Sequence, residues 1–217
     1  MTRLHTNKQY LNKDWTIDTV NKEINNGLEI LNKIDKPIVA FFGSHRINKT
    51  NKYYKHCETV AFELGKNGFA IVTGGGPGIM HAANTGATKA KAPSIGLKAE
   101  LLTKEIVKDK IYSHKSDFKF IFVRRFIMSI KSEALIFYPG GYGTLNELFE
   151  YAVLMQTGIC DKVPIICVNK DYWKGLFDWL KKNPLKNKFF IHNNDIKLLY
   201  FVDSEKEIIN IITKRKR

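Results

Sequence analysis

Glu147 stands four residues after the last of a run of glycines, in Pro139-Gly140-Gly141-Tyr142-Gly143-Thr144-Leu145-Asn146-Glu147. The apolar run Ala134–Tyr138 before it reads as a buried strand and the residues after it as a helix, so the glycines form a strand-to-helix turn. Glycine there frees the backbone to take positive φ and leaves room for a ligand against the main chain. The helix start offers unpaired N–H groups and the positive end of a dipole, which suit a phosphate. Gly140, Gly141, Tyr142, Gly143 and Thr144 are therefore candidates to hold one. Phosphate binding has no use for a carboxylate, so Glu147 beside that turn suggests chemistry on a phosphorylated small molecule. A structural alternative stands beside this reading. Thr144 and Glu147 have the spacing of a capping box, in which Thr144 caps the helix and Glu147 reaches back to it. Helical spacing puts Leu145, Leu148, Phe149 and Ala152 on the sheet side and Glu147 opposite, which leaves the alternatives open.

A second copy of the grammar bears on the choice. Phe69–Val72 followed by Thr73-Gly74-Gly75-Gly76-Pro77-Gly78-Ile79-Met80 is again strand, glycines and helix, 65 residues earlier. Gly75, Gly76 and Gly78 repeat the turn, but the position matching Glu147 is Ala82, so only the second copy carries the carboxylate. Neither copy is the G-x-G-x-x-G of dinucleotide sites, since His81 stands where a third glycine is needed. Two phosphate-type turns suit a mononucleotide.

These motifs resemble those of the LOG (LONELY GUY) family, nucleoside 5′-monophosphate phosphoribohydrolases often mislabelled lysine decarboxylases. The resemblance runs from about Ile38 to Trp173 and includes Gly43, Ser44 and Arg46 in the turn after the first strand. It implies hydrolysis of the base–ribose bond of AMP or a cytokinin riboside 5′-monophosphate, with the phosphate on the second glycine turn. It further implies a homodimer, and an arginine acting with the motif glutamate at the ribose. The arginine position falls on Arg124, followed by Arg125 where the family commonly has Lys. His81 departs from the family's usual Glu, Asn146 replaces a common acidic residue, and the stretch from Leu97 to Phe118, with Glu100, Glu105, Tyr112 and His114, follows the family poorly. That stretch helps form the base pocket, so base preference stays open.

The residues support parts of this independently. On a helix, Val123, Phe126, Ile127, Ile130 and Ala134 make an apolar stripe with Arg124 on its flank, while Arg125 turns toward solvent or phosphate. Only six of the 35 basic residues are Arg, so an Arg near the motif suggests that a guanidinium fork was needed. Breaking an N-glycosidic bond builds positive charge on the ribose, which a carboxylate can stabilise or relieve by activating water. Glu147 fits that role and Arg124 would orient it; no side chain stands out as the acid that protonates the leaving base. A decarboxylase would need a Schiff-base lysine with a pyridinium partner, and no such set is visible. No metal is expected, for His, Cys, Asp and Glu lack ligand spacing, and no cofactor is called for. His45 and His81 read as turn or core histidines. The competing class is a non-catalytic carrier of a phosphorylated cofactor, like the molybdenum-cofactor carriers, which fold alone does not separate from an enzyme.

Positioning these groups takes a single-domain, doubly wound Rossmann-like parallel sheet with helices on both faces. Ile38–Phe42, Phe69–Val72, Ala134–Tyr138 and Val163–Val168 read as strands buried on both faces, Ser94–Leu97 as another and Leu198–Val202 as an outer one. At 217 residues and 44% hydrophobic one core suffices. Residues 1–36 read as a polar, helical or loose extension, 37–213 as the nucleotide-binding catalytic domain and 214–217 as a basic tail. No signal peptide or membrane span is apparent, and three cysteines without CxxC spacing suit the reducing cytoplasm. The net charge of +14 is spread along the chain and reads as a field attracting phosphorylated substrates, with nucleic-acid binding the minor alternative. Tyr151, Leu154 and Ile159, opposite the sheet stripe, point to a homodimer packed along that helix.

Overall fold

The computed structural model describes residues 8–100, 110–186 and 190–214. Arg3, Glu105 and residues 215–217 of the basic tail lie outside the described residues. Seven parallel strands form one sheet: β1 (Ile38–Phe42), β2 (Ala70–Thr73), β3 (Ser94–Ala99), β4 (His114–Phe118), β5 (Ser132–Phe137), β6 (Ile165–Val168) and β7 (Leu199–Val202). Their order across the sheet is β4-β3-β2-β1-β5-β6-β7. The chain runs outward from β1 to β4, returns to β5 beside β1, and runs outward again. The doubly wound expectation therefore holds, with the switch point between β1 and β5, where ligands bind such sheets.

Parallel strands covered on both faces must be apolar throughout, and β1, β2 and β6 are fully buried along their length. Alternate residues feed two cores. Ala40, Phe42, Leu135 and Phe137 face α1 (Lys13–Asn32), α4 (Ile121–Ile130), α5 (Tyr142–Gln156) and α6 (Lys170–Leu180). Val39, Phe41, Ala134 and Ile136 face α2 (Lys52–Lys66), α3 (Ile79–Lys89) and α8 (Glu205–Thr213). The short α7 (Asn193–Ile196) precedes β7.

Three sequence expectations change. β4 lies in the stretch that followed the family poorly; it is an edge strand with alternating burial, so it lacks the continuous apolar run that marks its neighbours. The buried stripe of α5 is Thr144, Leu148, Tyr151 and Met155, and Phe149 is exposed. Thus Tyr151, expected to face outward, lies in the core against Phe42 with ring centroids 5.4 Å apart. On α4 the buried residues are Val123, Arg124, Ile127 and Met128, while Phe126 and Ile130 are exposed.

Candidate active site

A cleft of about 680 Å³ opens at the switch point, within the range of roughly 300–1,000 Å³ usual for small-molecule sites. Gly43, Ser44, His45 and Arg46 after β1, Gly74 and Met80 of the first glycine turn, and Gly141, Tyr142, Gly143 and Thr144 of the second line it, together with Arg124 and Glu147. Ser44 ties the three turns together. Its N–H donates to the Pro139 carbonyl at 3.1 Å, and its own carbonyl accepts from the Ile79 N–H at 3.1 Å.

The two glycine turns use glycine differently. Gly75 and Gly78 have φ of +65° and +68°, and a Cβ on Gly78 would run into the Ser44 carbonyl, so glycine there is a matter of backbone geometry. No residue of the second turn has positive φ, contrary to the sequence reading. A Cβ on Gly141 or Gly143 would meet nothing within 4 Å. Glycine at those positions keeps open space over the start of α5, where the N-cap Gly141 supplies no side-chain cap. An uncapped helix N-terminus facing an open cleft has the donors and dipole for an anion.

Glu147 lies one helical turn beyond Thr144, about 4.5 Å along the axis. The helix begins at Tyr142 and Thr144 sits inside it, so no capping box forms. The Glu147 carboxylate instead accepts from Arg124 Nη2 at 3.2 Å, and the two side chains are only 14% and 8% exposed. Glu147 flanks the buried stripe instead of opposing it. Burial lifts its pKa from the ordinary 4.5 to about 6, with Arg124 and then Arg125 pulling it down and Glu150 pushing it up. The Arg124 guanidinium lies close over Gly74, where a Cβ would stand 2.9 Å from Nη1, and its buried Nε has no hydrogen-bond partner. A charged fork with a donor to spare therefore stands in the wall between the two turns.

Arg125 goes elsewhere. Its Nη1 donates to Asn146 Oδ1, its Nε lies 2.9 Å from Glu150 Oε2 without hydrogen-bond alignment, and its carbonyl accepts from the Tyr151 hydroxyl at 3.1 Å. It clasps α4 to α5 and does not line the cleft. Gly75, Gly76, Gly78 and Gly140 also lie behind the lining. Two tyrosines hold the turns from behind: Tyr112 donates to the Gly75 carbonyl at 2.9 Å and Tyr172 to the Gly140 carbonyl at 2.5 Å. Met80 and Gly74 line the cleft without having been singled out, and His45 lines it although it read as a turn histidine. Nothing local in the sequence marked Tyr172. His81 is buried, its Nδ1 2.5 Å from the Tyr54 hydroxyl between α2 and α3. Among the described residues no three His, Cys, Asp or Glu side chains cluster as metal ligands.

A parallel sheet with glycine turns at its switch point and a buried Arg–Glu pair between them defines a doubly wound, Rossmann-like α/β protein with a cleft at that switch point. Residues 80–212 match the family model described as "Possible lysine decarboxylase". The chain is 32% identical to a cytokinin riboside 5′-monophosphate phosphoribohydrolase of Arabidopsis thaliana, covering 71% of this chain and 72% of the relative. It is 30% identical to the enzyme of that name in Mycobacterium tuberculosis, covering 69% and 80%. Among solved structures, the molybdenum cofactor binding protein of Rippkaea orientalis superposes with a TM-score of 0.63 at 20% identity, over 85% of this chain and 99% of that one, a likeness of fold. The chain belongs to the LOG family.

Proposed function

We propose that the protein hydrolyses the N-glycosidic bond of a nucleoside 5′-monophosphate, AMP or a cytokinin riboside 5′-monophosphate, giving free base and ribose 5-phosphate. The observation that carries this reading is the buried Arg124–Glu147 pair, one helical turn from the open N-terminus of α5 in the same cleft. A phosphate on the N–H groups of Tyr142, Gly143 and Thr144 brings the attached ribose toward Glu147. With a pKa near 6 the carboxyl is mostly ionised at neutral pH, ready to face a ribosyl cation or take a proton from the attacking water. Arg124 fixes its orientation and places a guanidinium charge in the cleft wall. Gly43, Ser44 and Arg46 close the phosphate end.

A carrier has no evident use for a carboxylate held in the cleft at the cost of its burial. Decarboxylation by a Schiff base would need a lysine, and none of the described residues lining the cleft is one. The relatives named as phosphoribohydrolases support the hydrolase reading. The test is phosphate dependence: AMP should be cleaved and adenosine left nearly untouched. Equal rates on the two would remove the α5 N-terminus from the mechanism.

We also propose a homodimer and a cytoplasmic home. Phe122, Phe126, Val153 and Ile159 are each at least half exposed, and Phe126 and Ile159 line a groove of about 640 Å³ between α4 and α5, more apolar surface than a lone copy needs. This supports the expected dimer: Tyr151 and Leu154 also line the groove, while Phe122, Phe126, Val153 and Ile159 are their more exposed apolar neighbours. A monomeric mass in solution at micromolar concentration would refute it. Cys57, Cys160 and Cys167 are unpaired, as suits a reducing compartment, and among the described residues no helix is long and apolar enough to cross a membrane.

A further inference from the structure

Arg124 reaches the cleft from α4, a helix whose own sequence does little to fix where it starts. Its N-cap, Phe120, offers no side-chain cap, and its first turn holds no acidic residue. The missing carboxylate comes from α1. Glu23 is 6% exposed, and its two oxygens accept the Lys119 N–H at 2.6 Å and the Phe120 N–H at 3.3 Å. A carboxylate there both satisfies donors and meets the positive end of the helix. Burial raises its pKa, opposed by those same N–H groups, so an acid has been kept inside where a neutral residue would have been easier to bury.

Two further contacts continue along the same face of α1. At Gly27, one turn on, a Cβ would stand 2.6–2.8 Å from the side-chain carbons of Ile127, so the α1 backbone presses directly on α4. Another turn on, the Leu31 carbonyl accepts from Lys131 Nζ at 2.9 Å, just past the end of α4. One stripe of α1, at intervals of four residues, thus holds the entry, middle and exit of α4. None of the α1 residues lines the cleft.

We propose that Glu23 is a positioning residue for the Arg124–Glu147 pair, with α1 acting as a strap that sets the axial height of α4. The path is short. Glu23 holds the Phe120 N–H, and the Phe120 carbonyl accepts the Arg124 N–H at 3.1 Å. Among the described residues, Arg124's guanidinium makes one hydrogen bond, the 3.2 Å contact to Glu147. A shift of about 1 Å along that contact takes it out of hydrogen-bond range, and a shift across it spoils the alignment. The consequence for turnover rests on the hydrolase reading; the consequence for the pair does not.

The test compares the wild type with Glu23→Ala, Glu23→Gln and Gly27→Ala in two readouts: the Glu147 titration by carbon NMR, and kcat and KM on AMP. Glu147 faces Arg124, Arg125, Glu150 and Tyr151. If Arg124 withdraws while the others stay, the Glu147 pKa should rise above about 6 in Glu23→Ala. There kcat should fall about tenfold with KM nearly unchanged, since the phosphate sits on α5 and not α4. Glu23→Gln keeps an acceptor oxygen and should recover most of kcat. Gly27→Ala, which forces the helices apart at Ile127, should move both readouts in the direction of Glu23→Ala and carries the test should that variant fail to fold. A variant that melts earlier but leaves the Glu147 titration and kcat untouched would overturn the proposal, making Glu23 a stabilising cap only. A wild type inactive on AMP whose Glu147 still shifts would keep the strap and remove the hydrolase.

Discussion

Replacing Glu147 by Gln separates an acid held for chemistry from one held for stability. Burial raises this carboxyl from 4.5 to about 6, and its side chain is 14% exposed, so solvent screens it little. A group with a raised folded-state pKa contributes stability that is fully present below its unfolded value and lost as pH rises through the folded one. The separation of about 1.5 pH units corresponds to about 2 kcal/mol, lost between about pH 4 and pH 8. Gln keeps the size and one acceptor oxygen for Arg124 but does not titrate. The stability gap between variant and wild type should therefore move by about 2 kcal/mol in the variant's favour over that range, read as urea midpoints at matched m-values. Over the same range wild-type kcat/KM on AMP should rise to a plateau above about pH 6 as the carboxylate forms, while the variant shows no such rise and lies at least about 100-fold below the wild type on the plateau. A gap independent of pH would mean that the carboxyl is not held out of its ordinary range. Normal turnover by the variant would move the chemistry elsewhere in the cleft.

Gly143→Ala should bind AMP at least about tenfold more weakly by calorimetry. The same variant should melt no lower and gain up to about 1 kcal/mol, since a Cβ there meets no protein atom and Ala favours a helix. Arg124→Lys should cost more than about tenfold in kcat, a point charge being unable to serve both Glu147 and the ligand. Arg125→Lys should cost at most a few-fold, because a lysine can still pair with Glu150. Tyr172→Phe removes the hydroxyl that holds Gly140 and should raise KM for AMP by a few-fold with little change in melting temperature; an unchanged KM would relieve Tyr172 of any part in shaping the turn.

Much of this molecule was legible because parallel strands buried on both faces have to be apolar from end to end. β1, β2, β5 and β6 stood out for that reason, and the two glycine turns marked the strand ends that carry the cleft. β4 was passed over because an edge strand alternates, and His114-Lys115-Ser116-Asp117 gives no apolar run to find. The facing of α5 was misread because apolar residues surround the helix. Its true stripe includes Thr144 and Tyr151, whose polar groups hide their burial from a count of apolar letters. The spacing of Thr144 and Glu147 fits a local capping rule, but the helix starts at Tyr142 and a tertiary partner, Arg124, claims the carboxylate. Contacts such as Tyr172 with Gly140, Arg125 with Glu150 and Glu23 with Lys119 depend on how helices pack across the sheet, and no short spacing encodes them.

The most direct measurement is to incubate the purified protein with a panel of nucleoside 5′-monophosphates, including AMP and a cytokinin riboside 5′-monophosphate, and to quantify free base and ribose 5-phosphate chromatographically. Hydrolysis at the site formed by Arg124, Glu147 and the second glycine turn requires the two products to appear in equal amounts, and to disappear with Glu147→Gln. Base release from no member of the panel, by a folded protein that nevertheless binds nucleotides, would contradict hydrolysis and leave a carrier.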